Sequence, residues 1–237
     1  YTGGSTLAMA AAGWQVTQVL QGGAVAVLYL TLFVAFRFYG VLAVGPVFAL
    51  MVVVAALAAA LAVLQEARAL ALIGALGGFA TPLLVSTGSG NHVALFSYYL
   101  VLDLGIAAVA WHRTWRSLNL IGFFGTFIVA TAWGVLKYRP DQYASSQGFL
   151  IAFFLIFVAI MLMPARRAPA SAADDRTGWP KDSWVQGCLL FAVPTVRFVL
   201  HHGLVRDTEY GTALSALVLA GFYVALAAWM RSRPRLA

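Results

Sequence analysis

The chain has 237 residues, of which 62% are hydrophobic and 10% charged, with a formal net charge of +7. A soluble domain carries roughly 25% charged residues, and a soluble fold of this length could not clothe its surface with so few. Nor does the basic excess point to nucleic acid, because the cationic residues sit at the ends of apolar blocks rather than in one continuous patch.

Those blocks run to about twenty residues, the length that spans a hydrocarbon core of about 30 Å at about 1.5 Å per residue. Tyr1 stands where a methionine would, and no charged stretch followed by a short apolar core suggests a signal peptide. The chain therefore reads as an interior section of a longer membrane protein, whose other spans would be its first partners. Residues 1–19, interrupted by Gly3, Gly4, Gln15, Thr17 and Gln18, are expected to be the tail of an upstream span or an interfacial helix. Predicted spans follow at 20–38, 43–64, 67–85, 92–111, 117–136, 146–164, 183–202 and 210–230. The expected fold is an all-α polytopic transmembrane bundle: six spans over 20–164, a linker over 165–182, and a closing two-span hairpin with a basic tail over 183–237. The linker region, PARRAPASAADDRTGWPKD, is polar and rich in alanine and proline, as flexible connections are.

Orientation follows from the cations. Arg68, Arg113, Arg116, Arg166, Arg167, Arg176, Lys181, Arg231, Arg233 and Arg235 share one side, while Arg37, Lys137, Arg139 and Arg206 share the other. The positive-inside rule makes the first side, and both ends of this section, cytoplasmic in a bacterial inner membrane. Trp111, Trp115, Trp184 and Trp229 fall near the same face, at the headgroup level that indoles favour.

In the third span, Gly74, Gly77 and Gly78 are spaced to admit a close helix neighbour. Thr81 and Pro82 follow, and proline is expected to bend or end the helix because it cannot donate to the ladder. Ser86 to Asn91 then read as a short turn. One reading is a tight hairpin between packed helices. The other is a broken helix end at Gly78, Thr81, Pro82, Ser86 and Asn91 whose freed backbone groups bind a polar ligand.

The stretch IGALGGFATPLLVSTGSGNHVALFSYYLVLDLG (73–105), with AVLYLTLFVAFRFYG before it and YRPDQYASSQGFLIAFFLIF after it, resembles the bacterial membrane-protein family described as domain of unknown function 2339. The resemblance covers most of residues 20–165, its most specific part being GGF-x-TPLL-x-STGSGN, and is weaker beyond 165. It implies a long, many-helix inner-membrane protein and brings no established activity.

Asp103 is the sharpest polar feature, about eleven residues into the fourth span. An ionised carboxylate at mid-bilayer costs about 2.5–3.5 kcal/mol on insertion scales, so Asp103 should face the protein interior and find a partner. Tyr99, one turn earlier on the same face, and Arg197 in the seventh span are the candidates. Arg197 could instead extend to the outer headgroups. His92, His201 and His202 fall at outer helix ends and read as interfacial, and no metal site is expected. Cys188, the single cysteine, excludes an internal disulfide and reads as a small buried hydrophobe.

No cofactor motif, nucleophile elbow, HExxH or Walker loop is present. Three functions stay open: transport or sensing of a small polar or amphiphilic solute, a structural or assembly scaffold in the membrane, and an intramembrane transferase on lipid or glycan. The lipid bilayer is the expected environment in each.

Overall fold

The computed structural model describes residues 3–85, 91–113, 115–163, 183–205 and 210–232. Among these residues the chain is helical throughout and no strand occurs: α1 (Gly3–Arg37), α2 (Val44–Gln65), α3 (Arg68–Val85), α4 (His92–His112), α5 (Arg116–Lys137), α6 (Tyr143–Leu162), α7 (Ser183–Val205) and α8 (Gly211–Arg231). A single 3-10 turn, Pro140–Gln142, leads directly into α6. All but α3 are long and apolar enough to cross a membrane. The protein is a polytopic helical membrane bundle.

Residues 3–19 do not form a separate segment. They continue without interruption into the first span, in a helix of 35 residues. Their glycines and glutamines lower the apolarity but remove no backbone donor, and no proline precedes Pro46. The linker, including Arg166, Arg167, Arg176 and Lys181, lies outside the described residues, as does Ser86.

Two compact units are formed, Tyr1–Ser89 and Gly90–Ala237. In the first, α1, α2 and α3 pack on one another through small residues and one aromatic ring. A Cβ on Gly74 would stand 2.7 Å from the Ala58 Cβ, and one on Gly77 would stand 2.6 Å from a ring carbon of Tyr29. Both glycines are therefore needed to let α3 approach α2 and α1 so closely. The Tyr29 hydroxyl, buried by this approach, points at the carbonyls of Met51 (3.4 Å) and Gly74 (3.3 Å), one on each neighbouring helix. Glu66 turns the chain between α2 and α3 in the left-handed region, with φ 56°. Its backbone N–H closes on the Ala62 carbonyl.

The helix does not stop at Pro82, as its missing N–H suggested; α3 stays helical to Val85. Proline lacks only its own donor and conflicts with the turn before it, so residues 83–85 keep theirs. The Thr81 hydroxyl donates to the Gly77 carbonyl at 2.9 Å in the same turn.

The second unit, α4 to α8, is packed with aromatic rings. Phe96, Trp133, Phe149 and Phe153 form one cluster, and Phe123, Phe127 and Phe157 form another, with centroids between 4.9 and 6.2 Å apart. Phe154 of α6 reaches across to Phe222 and Tyr223 of α8. Asn91 starts α4 by accepting from the Ala94 N–H at 3.1 Å, an ordinary N-cap.

Candidate functional site

Of the eight buried polar or charged side chains among the described residues, only Thr81 belongs to the first unit; Asp103, Asn119, Thr126, Ser146, Arg197, His201 and Ser215 belong to the second. Asp103 and Thr126 form one group, and Arg197, His201 and Ser215 another.

The first group is centred on Asp103, fully buried on α4. Its partner is Thr126 of α5, whose hydroxyl lies 3.0 Å from Oδ1 and 2.8 Å from Oδ2. One hydroxyl carries one proton, so Thr126 donates to either oxygen or is shared between them. Gly122, one turn earlier on α5, makes the approach possible. A Cβ there would meet the Ile106 Cδ1 at 2.6 Å, with Asp103 Oδ1 and Phe157 both at 3.6 Å. Tyr99 is buried on the same helix, within electrostatic range of the carboxylate. Asp103 thus faces the interior and finds a hydroxyl partner, but from the next helix. Arg197 is not brought to it: among the described residues Asp103 is bonded to Thr126, and the guanidinium lies 5.1 Å from the ring centroid of Phe154.

The second group surrounds Arg197. This residue is 8% exposed, sits on α7 two turns from the helix end at Val205, and makes no hydrogen bond or ion pair among the described residues; its Nε is buried without a partner. His201, one turn along, bonds through Nδ1 to the Gln147 Oε1 of α6 at 2.8 Å. Neighbouring contacts gather at the same end of the unit: His92 to Ser145 at 2.7 Å, and His202 to Thr212 at 2.9 Å. These pairs tie the start of α4 to the start of α6, and the end of α7 to the starts of α6 and α8. His92, His201 and His202 are therefore each occupied by a different hydroxyl or amide, and among the described residues no group of three metal-ligating side chains occurs.

Between α6, α7 and α8 at this end lies a cleft of about 900 Å³. Arg197, His201, Gln147, Ser215, Tyr138 and Tyr143 supply its polar lining, and Ile151, Leu214 and Val218 its apolar wall. No Asp or Glu lines it among the described residues. The first turns of α6 and α8 both border it, through Tyr143 and Gly211, and neither turn contains an acidic residue or a side-chain cap. The positive dipole ends of these helices add to the Arg197 charge. A smaller cavity of about 50 Å³, enclosed by Phe96, Trp133 and Phe153 beside the unpartnered Ser146 hydroxyl, has room for little more than water.

Arg197 was visible in the sequence as an intramembrane cation, whereas Thr126, Gly122, Gln147 and Ser215 were not singled out. Nothing in their local sequence marks them; they matter because other helices bring Asp103 and Arg197 to them. Gly78 and Thr81 are buried in the first unit, and Asn91 is engaged in its cap. Cys188 is exposed rather than buried. On a spanning helix, an outward-facing thiol meets lipid, which accepts a weakly polar group as readily as a protein core does.

A family model described as a predicted membrane protein (DUF2339) matches residues 3–237, including the region beyond 165 where the resemblance had been weaker. No curated protein and no solved structure matches the chain.

Proposed function

The chain belongs to the DUF2339 family of predicted membrane proteins, and from that premise we propose that its second unit binds a small polar or amphiphilic solute, as part of a transport or sensing device in the bacterial inner membrane. The carrying observation is Arg197: a buried guanidinium that lines a cleft, with no carboxylate beside it among the described residues. A permanent cation at that depth is costly unless something compensates it, and intramembrane charges of this kind mark ligand or ion pathways. In this reading Asp103, Tyr99 and Thr126 lock α4 to α5 behind the site and do not touch the solute. The ten-to-four asymmetry of the cations supports a topology with both ends of the chain cytoplasmic and the cleft opening near the outer surface.

Water access tests the proposal. A Ser215→Cys substitution, in a Cys188→Ala background, should react with a membrane-impermeant maleimide added from outside. A dry bundle, in which residue 215 resists the reagent from both sides, would instead favour a membrane scaffold.

A further inference from the structure

Resting on that reading, we infer that the cleft takes an anionic amphiphile from the bilayer: an oxyanion head, phosphate or carboxylate, joined to an alkyl tail. The head follows from charge. Among the described residues the lining of the cleft carries one charge, the Arg197 guanidinium, and no carboxylate; Asp141, two residues before α6, is not part of that lining. Arginine offers donors in a planar fork that matches two oxygens of a carboxylate or phosphate, and at least its Nε stands unused and buried. The Tyr143 phenol lines the same space and can donate to a further oxygen.

The tail follows from the walls. Ile151, Leu214 and Val218 line the cleft and are also exposed, at 40%, 63% and 58%. On helices that cross a membrane, such residues open the cleft sideways to hydrocarbon. Ile151 lies one turn further along α6 than Gln147, and Val218 about one turn further along α8 than Ser215. Arg197, two turns in from the end of α7, stands level with both, so the apolar wall begins beside the guanidinium. A ligand with its charge at Arg197 and its chain toward Ile151 and Val218 leaves no tail carbon in water. A free anion would fill only the polar half.

The test uses the full chain in phosphatidylcholine nanodiscs, with bound molecules counted by native mass spectrometry. Dioleoyl phosphatidic acid should be retained at least about tenfold more tightly than dioleoylglycerol, which has the same tails and no charge. Arg197→Gln should erase that preference and Arg197→Lys should restore part of it. Val218→Trp, a change on an exposed face that leaves the charge in place, should weaken phosphatidic acid by about tenfold with the fold intact by circular dichroism. Equal retention of the two lipids, or a preference that survives Arg197→Gln, overturns the inference. So does displacement of the lipid by inorganic phosphate at comparable concentration, which would make the ligand a soluble anion. Either failure, with Ser215→Cys still labelled from outside, removes the amphiphile and leaves the solute-binding cleft standing.

Discussion

The two units solve the problem of helix association in lipid by opposite means. In α1 to α3, glycine and alanine bring backbones together, and Gly74 against Ala58 leaves no room for a single added methyl. In α4 to α8, rings fill the space between helices, and seven polar side chains are buried among them. Lipid tails are as apolar as leucine, so burial alone does not hold helices together, and close packing or interhelical polar contacts must do so. The first unit relies on the former and carries one buried polar side chain; the second uses both. The difference suggests a division between a close-packed support and a unit able to hold a ligand.

Filling the tightest contact should break the first unit most severely. In Gly77→Leu the Cβ would already lie 2.6 Å from the Tyr29 ring, and three further carbons have no space. The ring is fixed between α2 and α3, so the expected loss is about 3 kcal/mol of unfolding free energy, at the upper end of overpacking effects. Titration with a denaturing detergent measures it. A loss below about 1 kcal/mol would mean that the helices separate freely and that close approach is not what holds them.

Much of this arrangement could be read before the helices were seen. Block length alone located seven of the spans, as with 117–136 against Arg116–Lys137, because a membrane imposes a minimum length on a crossing. The spacing of Gly74 and Gly77 likewise pointed to close packing, since a small residue in a helix exposes backbone wherever it faces. The partner of Asp103 was not legible. Tyr99 is a neighbour along the helix, but Thr126 is brought there by the packing of α5, which no local pattern encodes. The cleft was hidden for the same reason: Gln147, Arg197 and Ser215 lie on three helices and share no motif.

In the second unit the corresponding break is polar. Thr126→Val preserves shape and removes the donor to Asp103, leaving a fully buried carboxyl group without that bond. The expected cost is about 2 kcal/mol, the desolvation penalty of an unsatisfied buried group. Adding Asp103→Leu should return part of it, because removing both partners leaves nothing unpaired. If the two changes simply add, the contact contributes no coupling and the second unit is held by its rings alone.

Gly122→Ala sharpens the contrast between the units with a smaller effect. Its Cβ would also meet a carbon at 2.6 Å, but that carbon is the Ile106 Cδ1, the end of a side chain with two torsions. Gly74→Ala meets the Cβ of Ala58, which cannot rotate away. The same added methyl should therefore cost under about 1 kcal/mol at 122 and about 2 kcal/mol at 74. Equal losses would show that tolerance is set by the helix pair and not by the flexibility of the neighbouring side chain.

The smallest effect is expected where a polar contact serves the close-packed unit. Tyr29→Phe removes the hydroxyl that spans α2 and α3 and leaves the ring between Gly77 and the neighbouring helices. Its two contacts, 3.4 Å to the Met51 carbonyl and 3.3 Å to the Gly74 carbonyl, are long for hydroxyl donors, and one proton must serve both. Both acceptors lie within helices, where carbonyls already receive a backbone N–H, so neither is orphaned by the change. The loss should stay near 0.5 kcal/mol, the low end for a hydrogen bond. Tyr29→Ala should cost about 3 kcal/mol, because it empties the space that the ring fills. A large loss in Tyr29→Phe, close to that of Tyr29→Ala, would reverse the assignment: the first unit would then be held by a polar bridge, as the second is at Asp103.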